Sequence, residues 1–255
     1  MPRDSFIDDL LGLIFPPRCQ LCGSFDDAPL CEGCLSEAVL IDAPDCFYCG
    51  VPLQKTVPGG QLCSGCRDGR WMSGMRAVGL HVKTLREAII RYKFDGRTRL
   101  AAPFGEMLVD VMARETEEGG LPLEACDALV PVPLHRNRRR WRGFDQAELL
   151  CDAIAETGQM AVWRDVLTRV RDTPPQVGVR GSQRGSNVRG AFEVERPMRV
   201  QGASMILVDD VLTTGSTMEE CARVLRLAGA AAVYGLTLSR GAPGWHPEAF
   251  EMTQS

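Results

Sequence analysis

No stretch of the 255 residues approaches the ~18 consecutive apolar positions needed to cross a bilayer, so membrane insertion is not expected. No secretory leader is expected either. Met1 to Phe15 carries apolar Phe6, Ile7, Leu10, Leu11 and Ile14, but Asp4, Asp8 and Asp9 interrupt them. That pattern suits an amphipathic helix stopped by Pro16-Pro17; a leader would have a basic start and an unbroken apolar stretch. The chain is therefore expected in the cytoplasm. The Gly-Lys-Ser/Thr of a nucleoside-triphosphate loop does not occur, which disfavours that kind of phosphate site. A net charge of −4 argues against a protein that coats nucleic acid over its whole surface.

The bulk composition is ordinary, with 45% hydrophobic and 24% charged residues, and the length allows one large or two modest domains. The charge is not evenly spread. Residues 129 to 200 hold 13 Arg and 8 Asp/Glu, a local +5, which leaves −9 for the rest of a chain whose total is −4. Such a field suits an anionic ligand, either a pyrophosphate or a nucleic-acid backbone.

Cysteine is concentrated at the front. Eight of the eleven form four Cys-x-x-Cys pairs: Cys19/Cys22, Cys31/Cys34, Cys46/Cys49 and Cys63/Cys66. Two such pairs complete a tetrahedron around one zinc ion, so eight ligands imply two structural zinc ions. Chain order pairs the first two turns with each other and the last two likewise; spacing alone does not exclude a crossed arrangement. Disulfides are disfavoured in a reducing compartment. Between Cys34 and Cys63 there is one Lys and no Arg, which favours a structural or partner-binding role over nucleic-acid contact. Cys126, Cys151 and Cys221 stand alone and are expected to be small buried hydrophobes.

From Trp71 the composition becomes that of an α/β protein. Strands are expected at Ala77 to Val82, Ala128 to Val132, Trp163 to Val170, Ala191 to Val194 and Ala231 to Leu238. Thr84-Leu-Arg-Glu87 reads as a capping box opening one helix, and a second is expected from about Leu100 to Arg114. Pro133 to Arg142 reads as a basic loop with five Arg in its last seven positions, before a helix capped by Asp145 with Glu148 completing a capping box. Asp172 to Arg189 is aperiodic and rich in Gly, Pro, Ser and Arg, as expected of a lid.

The chain is organised around Met205-Ile-Leu-Val-Asp-Asp-Val-Leu-Thr-Thr-Gly-Ser-Thr217. A buried strand leads to two carboxylates, Asp209 and Asp210, then a hydroxyl-rich turn and a helix ending at Gly229. The unpaired N–H groups of the helix start favour a phosphate at Thr213, Thr214, Gly215, Ser216 and Thr217. Two acids would repel that phosphate but can accept from the vicinal hydroxyls of a sugar. Together they describe a ribose 5-phosphate.

This run resembles the PRPP-binding loop of type I phosphoribosyltransferases. Three blocks together resemble the ComF family of phosphoribosyltransferase-like competence factors: Val130 to Gln146; Arg171, Thr173 and Gln176 through Arg184, Asn187 and Phe192; and Ile206 to Thr217. Asp145 stands where the family has Asn, and Val179 where it has Leu. The resemblance implies a Rossmann-like, mostly parallel sheet of the type I phosphoribosyltransferase class over residues 71–245. Residues 1–70 would hold a short helix and a double zinc ribbon, and 246–255 a polar tail. It implies PRPP bound with magnesium, with Asp209 and Asp210 as the catalytic acids. Arg138, Arg142 and the lid residues Arg180 and Arg184 would hold the pyrophosphate. The basic run also reads as a solvated or nucleic-acid-binding face. Two functions stay open: phosphoribosyl transfer to an unnamed acceptor, and non-catalytic sensing of PRPP or a nucleotide by a competence factor that contacts single-stranded DNA or the uptake machinery. A salvage enzyme for a known base is the weaker third, since no base-binding segment follows Leu238, although Trp245 could stack on a ring.

Overall fold

Met205 to Val208 are wholly inaccessible to solvent, because they run through the middle of a sheet covered on both faces. The computed structural model describes residues 16–42, 45–53, 62–63, 66, 71–172 and 188–241. The expected N-terminal helix, the lid with Arg180 and Arg184, Trp245 and the tail lie outside the described residues.

Four strands form the sheet: β1 (Gly74–Leu80), β2 (Ala128–Pro131), β5 (Ser204–Leu212) and β6 (Ala232–Arg240). Their order is β1-β6-β5-β2 and every pairing is parallel. Side chains alternate across the sheet as strand geometry requires. Leu129, Ile206, Val208 and Leu236 face one core; Val130, Met205, Leu207 and Val233 face the other.

The first core is completed by α2 (Lys83–Phe94), α3 (Ala101–Glu117) and α5 (Gln146–Gly158) through Leu85, Ile89, Tyr92, Phe104, Leu108 and Leu150. The second is completed by α7 (Ser216–Leu227), whose Met218, Cys221, Ala222 and Leu225 repeat at helical spacing, and by a small antiparallel pair, β3 (Leu167–Arg169) with β4 (Phe192–Val194). Short helices α1 (Glu32–Ser36), α4 (Arg136–Arg142) and α6 (Pro197–Val200) lie in the connections.

The two cysteine modules pack on opposite faces of this sheet. Cys19, Cys31 and Cys34 join the α2 side, where Arg91 Nη1 donates to Leu21 O at 2.6 Å. Cys46, Cys49 and Cys66 join the α7 side with Met72 and Met75. The chain between them lies along the free edge of β1: Ile41 N donates to Val78 O at 3.0 Å and Leu80 N to Val39 O at 2.8 Å. Gly79 permits that approach, since a Cβ there would stand 2.6 Å from Val39 O. Arg76 fastens the second module, donating through Nε to Glu115 Oε1 at 2.6 Å and through Nη1 to Phe47 O at 3.1 Å.

Several sequence expectations are corrected. The basic run is a helix, α4, with His135 as N-cap accepting from Asn137 N and Gly143 ending it at φ 84°. Thr84 lies inside α2 and caps nothing; its hydroxyl donates to Glu37 Oε2 at 3.0 Å, so packing against the first cysteine module displaced the capping box. Asp145 does cap α5, accepting from Ala147 N and Glu148 N, but the Glu148 carboxylate goes to Arg139. Of Trp163 to Val170 only Leu167–Arg169 is strand, while Val162 bridges in parallel to Leu129 at the edge of β2.

Candidate functional site

β5 does not stop before the two acids but continues through Leu212, and that decides how they point. Neighbours on a strand face opposite sides. Asp210 lies on the α2 side, 3% exposed, and its Oδ1 meets Lys93 Nζ at 2.8 Å. Its other oxygen, Oδ2, is buried with no partner among the described residues. Asp209 is half-buried and lies on the other side, in the field of Arg169 and near Cys221. Asp209 Oδ1 accepts from Asp210 N at 2.8 Å. Burial, with the negative charge of Asp210 beside it, pushes the Asp209 carboxyl well above the usual range, and Lys93 opposes this. The acids leave the strand on opposite faces, yet their carboxyl groups still interact.

Beyond Leu212 the chain turns through Thr213 and Thr214, both exposed, to Gly215 at φ 77°, where left-handed backbone costs glycine little. Gly215 is the N-cap of α7 and offers no side chain to cap it. Among the described residues no protein acceptor engages the N–H groups of Thr213, Thr214, Gly215 or Thr217. Ser216 N has only a 3.4 Å contact to Thr214 Oγ1, whose oxygen also lies 2.9 Å from Ser216 Oγ. Donors clustered at the positive end of a twelve-residue helix form an anion-binding arrangement.

The arginines approach from α4. Arg142 is half-buried; it donates to Gln146 Oε1, lies over the Phe94 ring at 5.2 Å, and keeps a buried Nε with no partner among the described residues. Burial lowers its pKa, and the charge of Asp210 works against that. Arg138 Nε stands 3.8 Å from Asp172 Oδ1, at the start of the expected lid, and Arg139 is held by Glu148. Arg136 and Arg140 are exposed. The structure thus gathers Asp209, Asp210, Thr213 to Thr217, Arg138 and Arg142 around the carboxyl ends of β2 and β5, where open α/β sheets place ligands.

Four further residues belong here that the sequence did not single out. Lys93 follows Tyr92 on the buried face of α2, and a lysine next to a core tyrosine was the available signal. His81 Nδ1 lies 2.8 Å from Ser239 Oγ, with its pKa lowered by burial and by Lys93. Arg169 is half-buried on β3 with its guanidinium 5.3 Å over Phe192. Arg240 ends β6, 6% exposed.

The eight cysteines form two groups, Cys19, Cys22, Cys31, Cys34 and Cys46, Cys49, Cys63, Cys66, each with its sulfurs within 4.8 Å of one another. The consecutive arrangement is therefore the one present. Sulfurs stand 3.8 Å apart for Cys19 and Cys34, 3.6 Å for Cys22 and Cys31, and 3.8 Å for Cys49 and Cys63. A zinc–sulfur bond of about 2.3 Å requires a tetrahedral edge of about 3.8 Å, so both groups fit zinc. Disulfides, at about 2.0 Å, are excluded by the same spacing. Leu21 N, Cys31 N and Cys63 N point at Cys19 or Cys46 sulfur at 3.3 to 3.5 Å, as thiolate acceptors favour.

Residues 10–68 match the model of the Double zinc ribbon domain. DNA utilization protein YhgH of Salmonella typhi is 34% identical over 233 residues, covering 89% of this chain and 99% of that protein. Competence protein F of Haemophilus influenzae is 31% identical over 209 residues, 78% and 85% of the two chains. The chain belongs to the ComF family. Solved structures with a similar arrangement over 55% of the ComF-family chain include a glutamine phosphoribosylpyrophosphate amidotransferase from B. subtilis complexed with ADP and GMP. That likeness has 20% identity and a TM-score of 0.36, and spans 26% of the amidotransferase. A second, described as a glutamic acid mutant at an invariant aspartic acid of HPRTs, gives 14% identity, a TM-score of 0.32 and 66% coverage of that chain. For the ComF-family chain the expected layout holds: a parallel α/β sheet behind a double zinc ribbon. Cys126, Cys151 and Cys221 are buried and unpaired, as expected of small hydrophobes. No helix among the described residues is long and apolar enough to cross a membrane.

Proposed function

We propose that this ComF-family protein binds PRPP and transfers or recognises its phosphoribosyl group during DNA uptake or use. One observation carries the reading: among the described residues, a glycine turn with four unengaged N–H donors opens α7 directly after a strand carrying an acid whose buried Oδ2 lacks a partner. The 5-phosphate would take the amides of Thr213 to Thr217. A ribose hydroxyl would give Asp210 Oδ2 the donor it lacks, and a second would reach Asp209. Because Asp210 already holds Lys93 through Oδ1, the sugar need not displace that lysine. Arg138, Arg142 and Arg169 would face the diphosphate, whose charge grows as its bond to the anomeric carbon breaks. Arg180 and Arg184 would close over it. Magnesium, arriving with PRPP, would supply charge neutralisation of the leaving group. Residues 71–245 would form the transferase-like unit, with the ribbon before it and the tail 246–255 after it. Cysteines spaced as metal ligands rather than disulfides support a cytoplasmic location.

Calorimetry with PRPP and magnesium tests the binding. Wild-type protein should bind, and Asp209→Asn and Asp210→Asn should each weaken binding about tenfold or more, by loss of a charge-assisted hydrogen bond. Equal affinity in all three proteins would refute the assignment. Pyrophosphate release with candidate acceptors then separates transfer from recognition.

A second reading has its own observation. Arg136 and Arg140 are exposed on α4 beside Trp141, which is 74% exposed and stands 6.5 Å from the Phe94 ring. Cations interleaved with open aromatic rings suit single-stranded nucleic acid. On that reading the protein is a non-catalytic competence factor, and affinity for an oligonucleotide falls steeply with salt.

A further inference from the structure

The second cysteine module touches the anion-binding turn; the first does not reach it. A cleft of about 140 Å3 is lined on one side by Thr213, Thr214 and Gly215 and on the other by Cys49, Cys63 and Cys66. Among the described residues, Arg240 and Tyr48 cross between the module and the elements that frame the turn. Arg240, at the end of β6, donates through Nη1 to the carbonyl of Cys49. Its neighbour Gly241 N donates to Leu212 O at 2.9 Å, immediately before the turn. From the module, Tyr48 Oη donates to Glu219 Oε1 at 2.9 Å, and Glu219 lies in the first turn of α7. The other oxygen of Glu219 accepts from Trp71 N at 3.0 Å. Met75, whose N–H donates to Tyr48 O at 2.6 Å, places its Cε 3.9 Å from where a Gly215 Cβ would be. The turn is therefore held from before, through Leu212 and Gly241, and from behind, through Glu219, and both holds lead to the peptide between Cys46 and Cys49.

That peptide is also held by Arg76 Nη1, which donates to Phe47 O at 3.1 Å. It contains Phe47, 52% exposed, and Tyr48, and its path around Cys46 and Cys49 is a tight turn in which Gly50 N donates to Cys46 O at 2.8 Å. The conformation that presents the Cys49 carbonyl to Arg240 and the Tyr48 hydroxyl to Glu219 is the one that closes two sulfurs on a metal.

We propose that the second four-cysteine module is a positioning element of the phosphate site: metal at Cys46, Cys49, Cys63 and Cys66 and a phosphate at Thr213 to Thr217 favour each other, while the first module takes no part. This rests on the phosphate reading of that turn. Arg240 and Tyr48 are positioning residues that carry the coupling. Because coupling between two binding equilibria is reciprocal, phosphate must protect the second metal as much as the metal improves phosphate affinity.

The experiment uses the full-length, zinc-loaded protein with ribose 5-phosphate as probe. Zinc transfer to a chromogenic chelator is followed, and thiol alkylation with peptide mapping separates Cys19–Cys34 from Cys46–Cys66. Saturating ribose 5-phosphate should slow alkylation of the second group about tenfold and leave the first unchanged, within the usual range of site-to-site coupling. Arg240→Met should keep two zinc ions, weaken ribose 5-phosphate about tenfold in calorimetry and abolish the protection. Tyr48→Phe, which removes one hydroxyl and little packing, should do the same to a smaller degree and serves if Arg240→Met does not fold. If ribose 5-phosphate binds wild-type protein but protects neither group, or both equally, the coupling is overturned and the phosphate site stands. If ribose 5-phosphate does not bind wild-type protein at all, both readings fall.

Discussion

Replacing Lys93 by Met should destabilise the protein more than replacing its partner Asp210 by Asn, although both remove the same ion pair. The asymmetry comes from burial. The Asp210 side chain is 4% exposed and that of Lys93 is 20% exposed, at the end of α2. Without the lysine, Asp210 keeps a charge in the interior with neither oxygen partnered among the described residues, since Oδ2 has no donor there already. Breaking a buried pair by removing one partner costs about 3–5 kcal/mol. The field of the Arg142 guanidinium and the partial exposure of Lys93 reduce that to about 2–4 kcal/mol. Asp210→Asn leaves instead a lysine whose stem can stay packed while its ammonium swings to water, for about 1 kcal/mol. The double variant should resemble Asp210→Asn alone, giving a coupling of about 2–4 kcal/mol. At this chain length about 2–4 kcal/mol corresponds to a Tm lower by roughly 5–15 °C. Thermal unfolding in zinc-containing buffer, read by circular dichroism, measures all three variants. The reasoning is refuted if Lys93→Met lies within about 0.5 kcal/mol of wild type, below the scale of surface substitutions, or is milder than Asp210→Asn.

Affinity for ribose 5-phosphate should rise as pH increases from the ordinary carboxylate range, because the Asp209 carboxyl, held high by burial, must ionise to accept a sugar hydroxyl. Stability from this group runs the other way, present at low pH and lost as pH climbs through the raised value, and Asp209→Asn should remove both steps from pH titrations followed by calorimetry and melting. Glu115→Gln should cost about 3 kcal/mol, since it removes the charge that compensates the 4% exposed Arg76 at 2.6 Å and leaves it Asp45 at 3.7 Å. Hydrogen exchange should then quicken first in residues 45–53. Gly79→Ala should cost about 1–3 kcal/mol by forcing Val39 O away from a Cβ 2.6 Å distant, with faster exchange at the Ile41 and Leu80 amides as the check.

Much of the arrangement was legible because it is written in local chemistry. The Cys-x-x-Cys spacing states a metal site wherever the chain goes, and the run Met205 to Val208 states a doubly covered strand. The hydroxyl turn with Gly215 could likewise be placed at a helix start from sequence alone. What was not legible depends on distant partners. Thr84 and Glu87 satisfy the capping-box spacing, yet Glu37 claims one and Arg91 the other at 2.6 Å. Nothing near Asp209 and Asp210 announces that β5 runs on past them and turns one inward to Lys93, 117 positions earlier. Arg240 lies past the expected end of its strand at Leu238, and only the fold brings it to the Cys49 carbonyl. The helical form of Arg136 to Arg142 was obscured by charge density: five like charges in seven positions suggest a solvated loop, but Glu148 and Asp172 offset part of that repulsion.

The segment Val39 to Ile41 hydrogen-bonds along a margin of the sheet that would otherwise present open N–H and C=O groups, and it is tied down at each end by a cluster of four thiols. Zinc starvation would release both anchors and leave the largely apolar edge of β1 available to any other copy in the same condition. The danger to a metal-depleted molecule is then self-association into insoluble material rather than simple loss of ligand, and restoring zinc afterwards would not recover it.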